Sequence, residues 1–169
     1  SWTHDQLLRD AEALALSLAS RFAPGERVVV WAPNVSRWLL MEYACALAGL
    51  VLVTANPSFQ QAELRYVLEQ SRSVALFHIE SHRGNPMTAI AEEASQGLSS
   101  VREIVDLDND EQLFASGPRP RSLPTVAPTD AAQIQYTSGT TGFPKGAVLS
   151  HHSLVNNARL FAQRALTDQ

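Results

Sequence analysis

The chain has 169 residues, 45% of them hydrophobic and 18% charged, proportions ordinary for one soluble globular domain with a real core. Its net charge of −4 gives no footing for nucleic-acid or membrane-surface binding, which call for a basic patch. A lone cysteine, Cys45, excludes an internal disulfide, fits a reducing compartment such as the cytoplasm, and in its apolar setting reads as a small buried hydrophobe.

No basic N-terminal region leads into an apolar core, so no signal peptide is expected. Thr3 and Gln6 stand at capping-box spacing. Leu7, Leu8, Ala11, Leu14, Ala15, Leu18 and Phe22 follow at helical spacing, and Pro24-Gly25 ends that helix. Arg27 to Ala32 reads as a buried strand. Pro33-Asn34 turns the chain into a helix capped by Asn34 or Ser36 and running to about Ala48, with Gly49 closing it. The eighteen residues from Trp38 to Ala55 hold a single charge, Glu42. A membrane span needs about twenty mostly apolar residues, and Gly49 divides this stretch, so a buried helix followed by a buried strand at Leu50 to Thr54 explains it better.

Asn56-Pro57 makes the next turn. Ser58 and Gln61 repeat the capping-box spacing, and Leu64, Val67 and Leu68 form an apolar stripe. Val74 to Ile79 predicts a third strand, 81–86 a polar loop, Met87 to Gln96 a short helix capped by Gly97, and Val101 to Leu107 a fourth strand. From Asp108 to Asp130 acidic residues give way to Pro118, Pro120, Pro124 and Pro128, the mark of a surface connection or a mobile boundary. Strands at Gln133 to Tyr136 and Ala147 to Ser150 follow, and then a helix from about His152 to Ala165. Strands alternating with helices at this spacing predict an α/β fold, a mainly parallel sheet flanked by helices and wound through right-handed βαβ units.

Tyr136-Thr137-Ser138-Gly139-Thr140-Thr141-Gly142-Phe143-Pro144-Lys145-Gly146 is the stretch around which the chain is organised. It concentrates three glycines, four serine or threonine hydroxyls and the only lysine of the chain, the other twelve basic residues being arginine. Glycine lets a backbone approach a ligand closely, and successive N–H groups in such a turn form a concave anion site that hydroxyls and an ammonium complete. Lysine supplies a compact, rotatable point charge where arginine supplies a planar fork. A phosphate is the guest this composition suits.

Rival readings fail on spacing. A Walker-type loop starting at Gly139 would put Pro144 where the second glycine belongs, and Lys145 is followed by Gly146 rather than a hydroxyl. A nucleophile elbow around Ser138 would need glycine at Tyr136 and Thr140. His151 and His152 are adjacent on a helix and point about 100° apart, which suits no shared ligand; no cysteine or carboxylate lies at zinc spacing near them. His78 and His82 are held by a strand end and a loop. His151 reads first as a capping or packing residue.

Tyr136 to Gly146 resembles the phosphate-binding signature of the adenylate-forming superfamily. Asn56-Pro57, Glu63-Leu64 and Tyr66-Val67-Leu68 resemble an upstream block of its acyl-CoA synthetase branch; Pro24-Gly25 before Arg27-Val28-Val29, and Pro33-Asn34 before a helix, fit its N-terminal region. The resemblance implies part of the large N-terminal domain of such an enzyme, with a layered region at 1–107, a Pro-rich connection at 108–130 and the phosphate-loop segment at 131–169. It implies that Thr137, Ser138, Gly139, Thr140, Thr141, Gly142 and Lys145 hold the β- and γ-phosphates of ATP, that Gly146 shapes the turn, and that Thr137 contacts Mg²⁺. In that family a carboxylate attacks the α-phosphate, pyrophosphate leaves, and the acyl group passes to CoA.

The superfamily's enzymes are about three times this long. The segments that stack adenine, grip ribose, line the acyl pocket and supply the catalytic lysine of the C-terminal lid have no counterpart here. The expectation is therefore an N-terminal fragment of an ATP-dependent carboxylate–CoA ligase, inactive and self-associating when isolated. The alternative is a stand-alone phosphate-binding or interaction domain without turnover.

Overall fold

A computed structural model describes residues 2–119, 122–137 and 144–167. Thr3 accepts from the Gln6 amide while Gln6 Oε1 accepts from the Thr3 amide, so the expected capping box starts α1 (His4–Arg21). Its inward stripe, Ala11, Leu14, Ala15 and Leu18, is almost wholly buried. β1 (Arg27–Trp31) buries Val28, Val29, Val30 and Trp31 completely. A strand with no alternation of burial has both faces covered, which calls for helices above and below it.

The chain then runs through α2 (Ser36–Leu47), β2 (Val51–Ala55), α3 (Gln61–Ser71), β3 (Ala75–His78), α4 (Met87–Ser95) and β4 (Glu103–Asp106). A one-turn α5 (Asp110–Leu113) precedes β5 (Ala131–Thr137), β6 (Lys145–Ser150) and α6 (His151–Thr167). The strands form one sheet in the order β4-β3-β1-β2-β5-β6, parallel throughout except for the antiparallel pair β5–β6. The connection from β1 to β2 steps one way and that from β2 to β3 steps back past β1. Right-handed crossovers therefore put α2 and α3 on opposite faces. α1 packs beside α2, and α4 beside α3. The α/β fold expected from the sequence is the fold observed.

Two local expectations are corrected. The N-cap of α2 is Val35, not Asn34 or Ser36, because the Val35 amide closes a tight turn onto the Pro33 carbonyl at 2.7 Å. The second capping box joins Gln60 to Glu63, not Ser58 to Gln61. The Ser58 amide is taken by Asn56 Oδ1 at 2.9 Å, so the turn after Pro57 runs on and the helix starts later.

The stretch 108–130, expected as a surface connection or mobile boundary, runs largely over the surface in its described residues. It holds α5, capped by Asn109, and then fastens along α1. Ser17 Oγ donates to the Ala115 carbonyl at 2.6 Å, the Gly117 amide donates to Ser20 Oγ at 2.8 Å, and the Arg119 amide donates to the Ser20 carbonyl at 2.9 Å. Ser17 and Ser20 are fully buried, and hydrogen bonds made without competing water are the ones that order a strap.

Candidate functional site at the carboxyl edge of the sheet

In a parallel α/β sheet ligands collect outside the carboxyl ends of the strands. Here β1, β2 and β5 end together around a cleft of about 680 Å³ whose lining includes Asn34, Trp38, Asn56, Phe59, Tyr136 and Thr137. Its floor is rigid. The indole of buried Trp31, at the end of β1, donates to the Asn56 carbonyl at 2.9 Å and so fixes the turn that follows β2.

The glycine-rich stretch opens on the flank of this cleft. β5 and β6 pair in antiparallel register from Ala131↔Ser150 to Thr137↔Lys145. Thr137 and Lys145 are thus the last pair of the ladder, and residues directly opposite in an antiparallel pair send their side chains to the same face. Both are exposed, and Thr137 Oγ1 lies 3.5 Å from the Lys145 carbonyl oxygen. Ser138, Gly139, Thr140, Thr141 and Gly142 lie outside the described residues. Gly146, expected to shape the turn, is the second residue of β6 and stands opposite Tyr136.

The two faces of the β5–β6 ribbon differ. On the α2 side Gln135 Nε2 donates to Gln133 Oε1 at 3.0 Å, and Gln133 Nε2 donates to Glu42 Oε1 at 3.1 Å. Burial pushes the Glu42 carboxyl up from the usual carboxylate range, against a smaller opposing effect of Gln133. On the α3 side Tyr136 is half-buried; burial, and then the neighbouring Tyr66, push its hydroxyl up to about 12. Tyr66 Oη donates to the Pro144 carbonyl at 3.2 Å and accepts from Gln70 Nε2 at 2.9 Å.

The remaining candidates take the places expected of them. Cys45 is buried, and burial pushes its thiol up, which suits a packing residue. His78 is buried with Nδ1 3.0 Å from the Ile79 carbonyl oxygen. His151 and His152 open α6. Among the described residues no group of three histidine, cysteine or carboxylate side chains could hold a metal ion, and no helix is long and apolar enough to cross a membrane. Sequence reasoning did not single out the Trp31–Asn56 and Gln133–Glu42 links or the Tyr66 contact as parts of the site. The traces of the last were the Tyr66-Val67-Leu68 block and a tyrosine beside an apolar stripe, and a half-buried phenol generally finds a hydrogen-bond partner.

The sequence profile described as "AMP-binding enzyme" matches residues 1–169. The chain belongs to the AMP-binding enzyme family. Among curated relatives, the mitochondrial medium-chain acyl-CoA ligase ACSF2 of Bos taurus is 33% identical over 96% of this chain, and its Homo sapiens counterpart 32% identical over the same share. The chain spans about 31% of the length of these relatives. Among solved structures, MbtA of Mycobacterium smegmatis superposes with a TM-score of 0.79 at 28% identity, over 92% of this chain and 30% of that one. The N-terminal domain of FACL13 from Mycobacterium tuberculosis, solved with an inhibitor bound, gives 0.73 at 27% identity, over 88% and 37%. The chain accordingly corresponds to only part of an AMP-binding enzyme.

Proposed function

We propose that the protein to which this chain contributes is an ATP-dependent carboxylate–CoA ligase (an AMP-forming acid–thiol ligase), and that the chain supplies its phosphate-binding element. One observation carries the reading. The β5–β6 ladder ends on Thr137 opposite Lys145, the sole lysine, at the carboxyl edge of the sheet beside an open cleft. The family membership and the acyl-CoA ligases among the relatives support the substrate class: ATP, a carboxylic acid and CoA.

In this reading a carboxylate attacks the α-phosphate and pyrophosphate leaves, a displacement that needs positioning and charge neutralisation more than a protein nucleophile. Lys145 neutralises the pyrophosphate. Thr137, Ser138, Gly139, Thr140, Thr141 and Gly142 donate hydroxyl and backbone hydrogens to its oxygens, and Gly146 keeps the Lys145 backbone against β5. Mg²⁺ binds reluctantly to all-protein cages and accepts one or two side-chain oxygens alongside phosphates and water. The exposed Thr137 hydroxyl at the end of β5, beside the cleft, would offer such a side-chain oxygen. The ion would spread the charge of the leaving pyrophosphate.

Two lesser proposals accompany this one. A reducing compartment, cytoplasmic in the simplest case, suits the buried thiol of Cys45. Self-association of the isolated 169-residue chain is expected from exposed Val148, Val155, Leu160 and Phe161 on β6 and α6, an apolar surface that favours burial; a single monomeric species in concentrated sedimentation runs would contradict it.

The test is carboxylate-dependent ATP–pyrophosphate exchange by the full-length natural protein carrying these residues, by the 169-residue chain, and by the full-length Lys145→Ala variant. Exchange by the full-length protein, none by the short chain, and a loss of about 100-fold or more in the variant are expected. An acid panel then identifies the substrate. Absence of exchange with every acid would leave a phosphate-binding or interaction domain as the better reading.

A further inference from the structure

Resting on the phosphate-loop reading above, we infer that Tyr66 of α3 is a positioning residue for that loop, holding its C-terminal stem through the Pro144 carbonyl. Pro144 stands immediately before Lys145, the first residue of β6 and the last rung of the ladder. Its carbonyl lies just beyond the sheet register, and the hydroxyl that reaches it, at 3.2 Å, comes from a helix 78 residues away in sequence.

The donor is itself oriented. A phenol has one hydrogen to give. Gln70, one helical turn further along α3, donates its amide to the Tyr66 oxygen at 2.9 Å, and the phenol hydrogen is given to the Pro144 carbonyl. Chained hydrogen bonds of this kind polarise one another. Tyr66, moreover, is half-buried, and α3 is anchored to the sheet by Leu64, Val67 and Leu68, all completely buried. The clasp therefore ties a stem at the edge of the sheet to a helix seated on the core by three buried side chains.

The consequence falls on Lys145. Its ammonium ends a long flexible stem, and the only rigid part of its position is the backbone. β5 restrains that backbone on one side through the ladder. Tyr66 restrains the preceding peptide from the opposite layer. Removing the phenol hydroxyl frees the peptide that delivers the lysine while leaving the lysine and the ladder intact, so affinity for phosphate falls without loss of the fold.

The experiment titrates inorganic pyrophosphate with Mg²⁺ into the full-length natural protein and its Tyr66→Phe, Gln70→Met and Lys145→Ala variants by calorimetry. Thermal midpoints and the amide nitrogen resonance of Lys145 are recorded alongside. Tyr66→Phe is expected to weaken pyrophosphate binding about three- to tenfold, to shift the Lys145 amide and to leave the thermal midpoint in place. Gln70→Met weakens binding less in the same direction, and Lys145→Ala abolishes it. Unchanged pyrophosphate affinity in Tyr66→Phe, with binding lost in Lys145→Ala, overturns the positioning role and leaves the phosphate reading standing. A lowered thermal midpoint with unchanged affinity makes the contact structural only. Failure of the unmodified protein to bind pyrophosphate overturns both.

Discussion

Gly146 packs directly on Ile134: a Cβ built on Gly146 would stand 2.9 Å from Ile134 Cγ2, and 3.3 Å from Cζ of Tyr136. Ile134 is β-branched and stiff at χ1, and the Tyr136 ring is wedged against α3, so neither neighbour swings away freely. Gly146→Ala should cost about 1–3 kcal/mol by overpacking, read from urea midpoints. It should also weaken pyrophosphate binding, because the strain falls on the residue after Lys145. An alanine variant as stable as the parent would show that the ribbon has slack.

Gly117 tests the strap on α1. A Cβ there would lie 2.3 Å from the Ser20 carbonyl oxygen and 2.7 Å from the Arg21 Cα, backbone atoms that no rotamer change can move. Gly117→Ala should detach the Ala115–Arg119 segment, exposing buried Ser17 and Ser20, at a cost of about 2–4 kcal/mol. Hydrogen exchange at the Gly117 and Arg119 amides checks it, with loss of protection expected there and not in β1.

A second fastening joins the same region to the sheet. Arg21, its side chain only 4% exposed, pairs with Glu103 of β4 and donates to the Leu113 carbonyl at 3.0 Å. Its guanidinium carbon also lies 5.3 Å from the centroid of the Phe22 ring. Removing Glu103 leaves the buried Arg21 charge without its carboxylate, but its hydrogen bonds to the Gln112 and Leu113 carbonyls remain and limit the loss. Glu103→Ala should cost about 1–3 kcal/mol, and the doubly apolar Arg21→Met, Glu103→Leu variant should cost less than the single one.

Stability should depend on pH through two carboxylates of opposite sense. The Arg102 guanidinium, chiefly through its hydrogen bonds, holds the Glu26 carboxyl below the usual carboxylate value. That contribution is present above the ordinary carboxylate range and is lost as pH falls through the folded value. Glu42 is raised by burial. Its folded state favours the proton, so stability falls as pH rises out of the carboxylate range and stays lower at neutrality. Glu42→Gln should therefore stabilise the protein at neutral pH and leave it unchanged in acid, while Arg102→Met should destabilise it at neutral pH and flatten the acid limb. Urea midpoints measured from acid to neutral pH separate the two.

The sequence by itself determined the alternation of strands and helices and the α/β class, because each rests on local pattern, and it marked the glycine-rich stretch on which the proposed phosphate site rests. The apolar run from Val28 to Trp31 reads as a strand buried on both faces, and three glycines beside a sole lysine mark a candidate anion site without help from distant residues. Caps were less legible, since Ser58 had the right type and spacing but its amide was already claimed by Asn56. What only the tertiary structure decided is who stands beside whom. β5 lies next to β2 with α3, β3, α4, β4 and α5 intervening; Ser17 and Ser20 bind a strap almost a hundred residues on; Tyr66 reaches Pro144 from the opposite layer. Such neighbours are chosen by which faces are left to bury and which polar groups are left to satisfy once the whole sheet has closed, and no window of sequence contains that information.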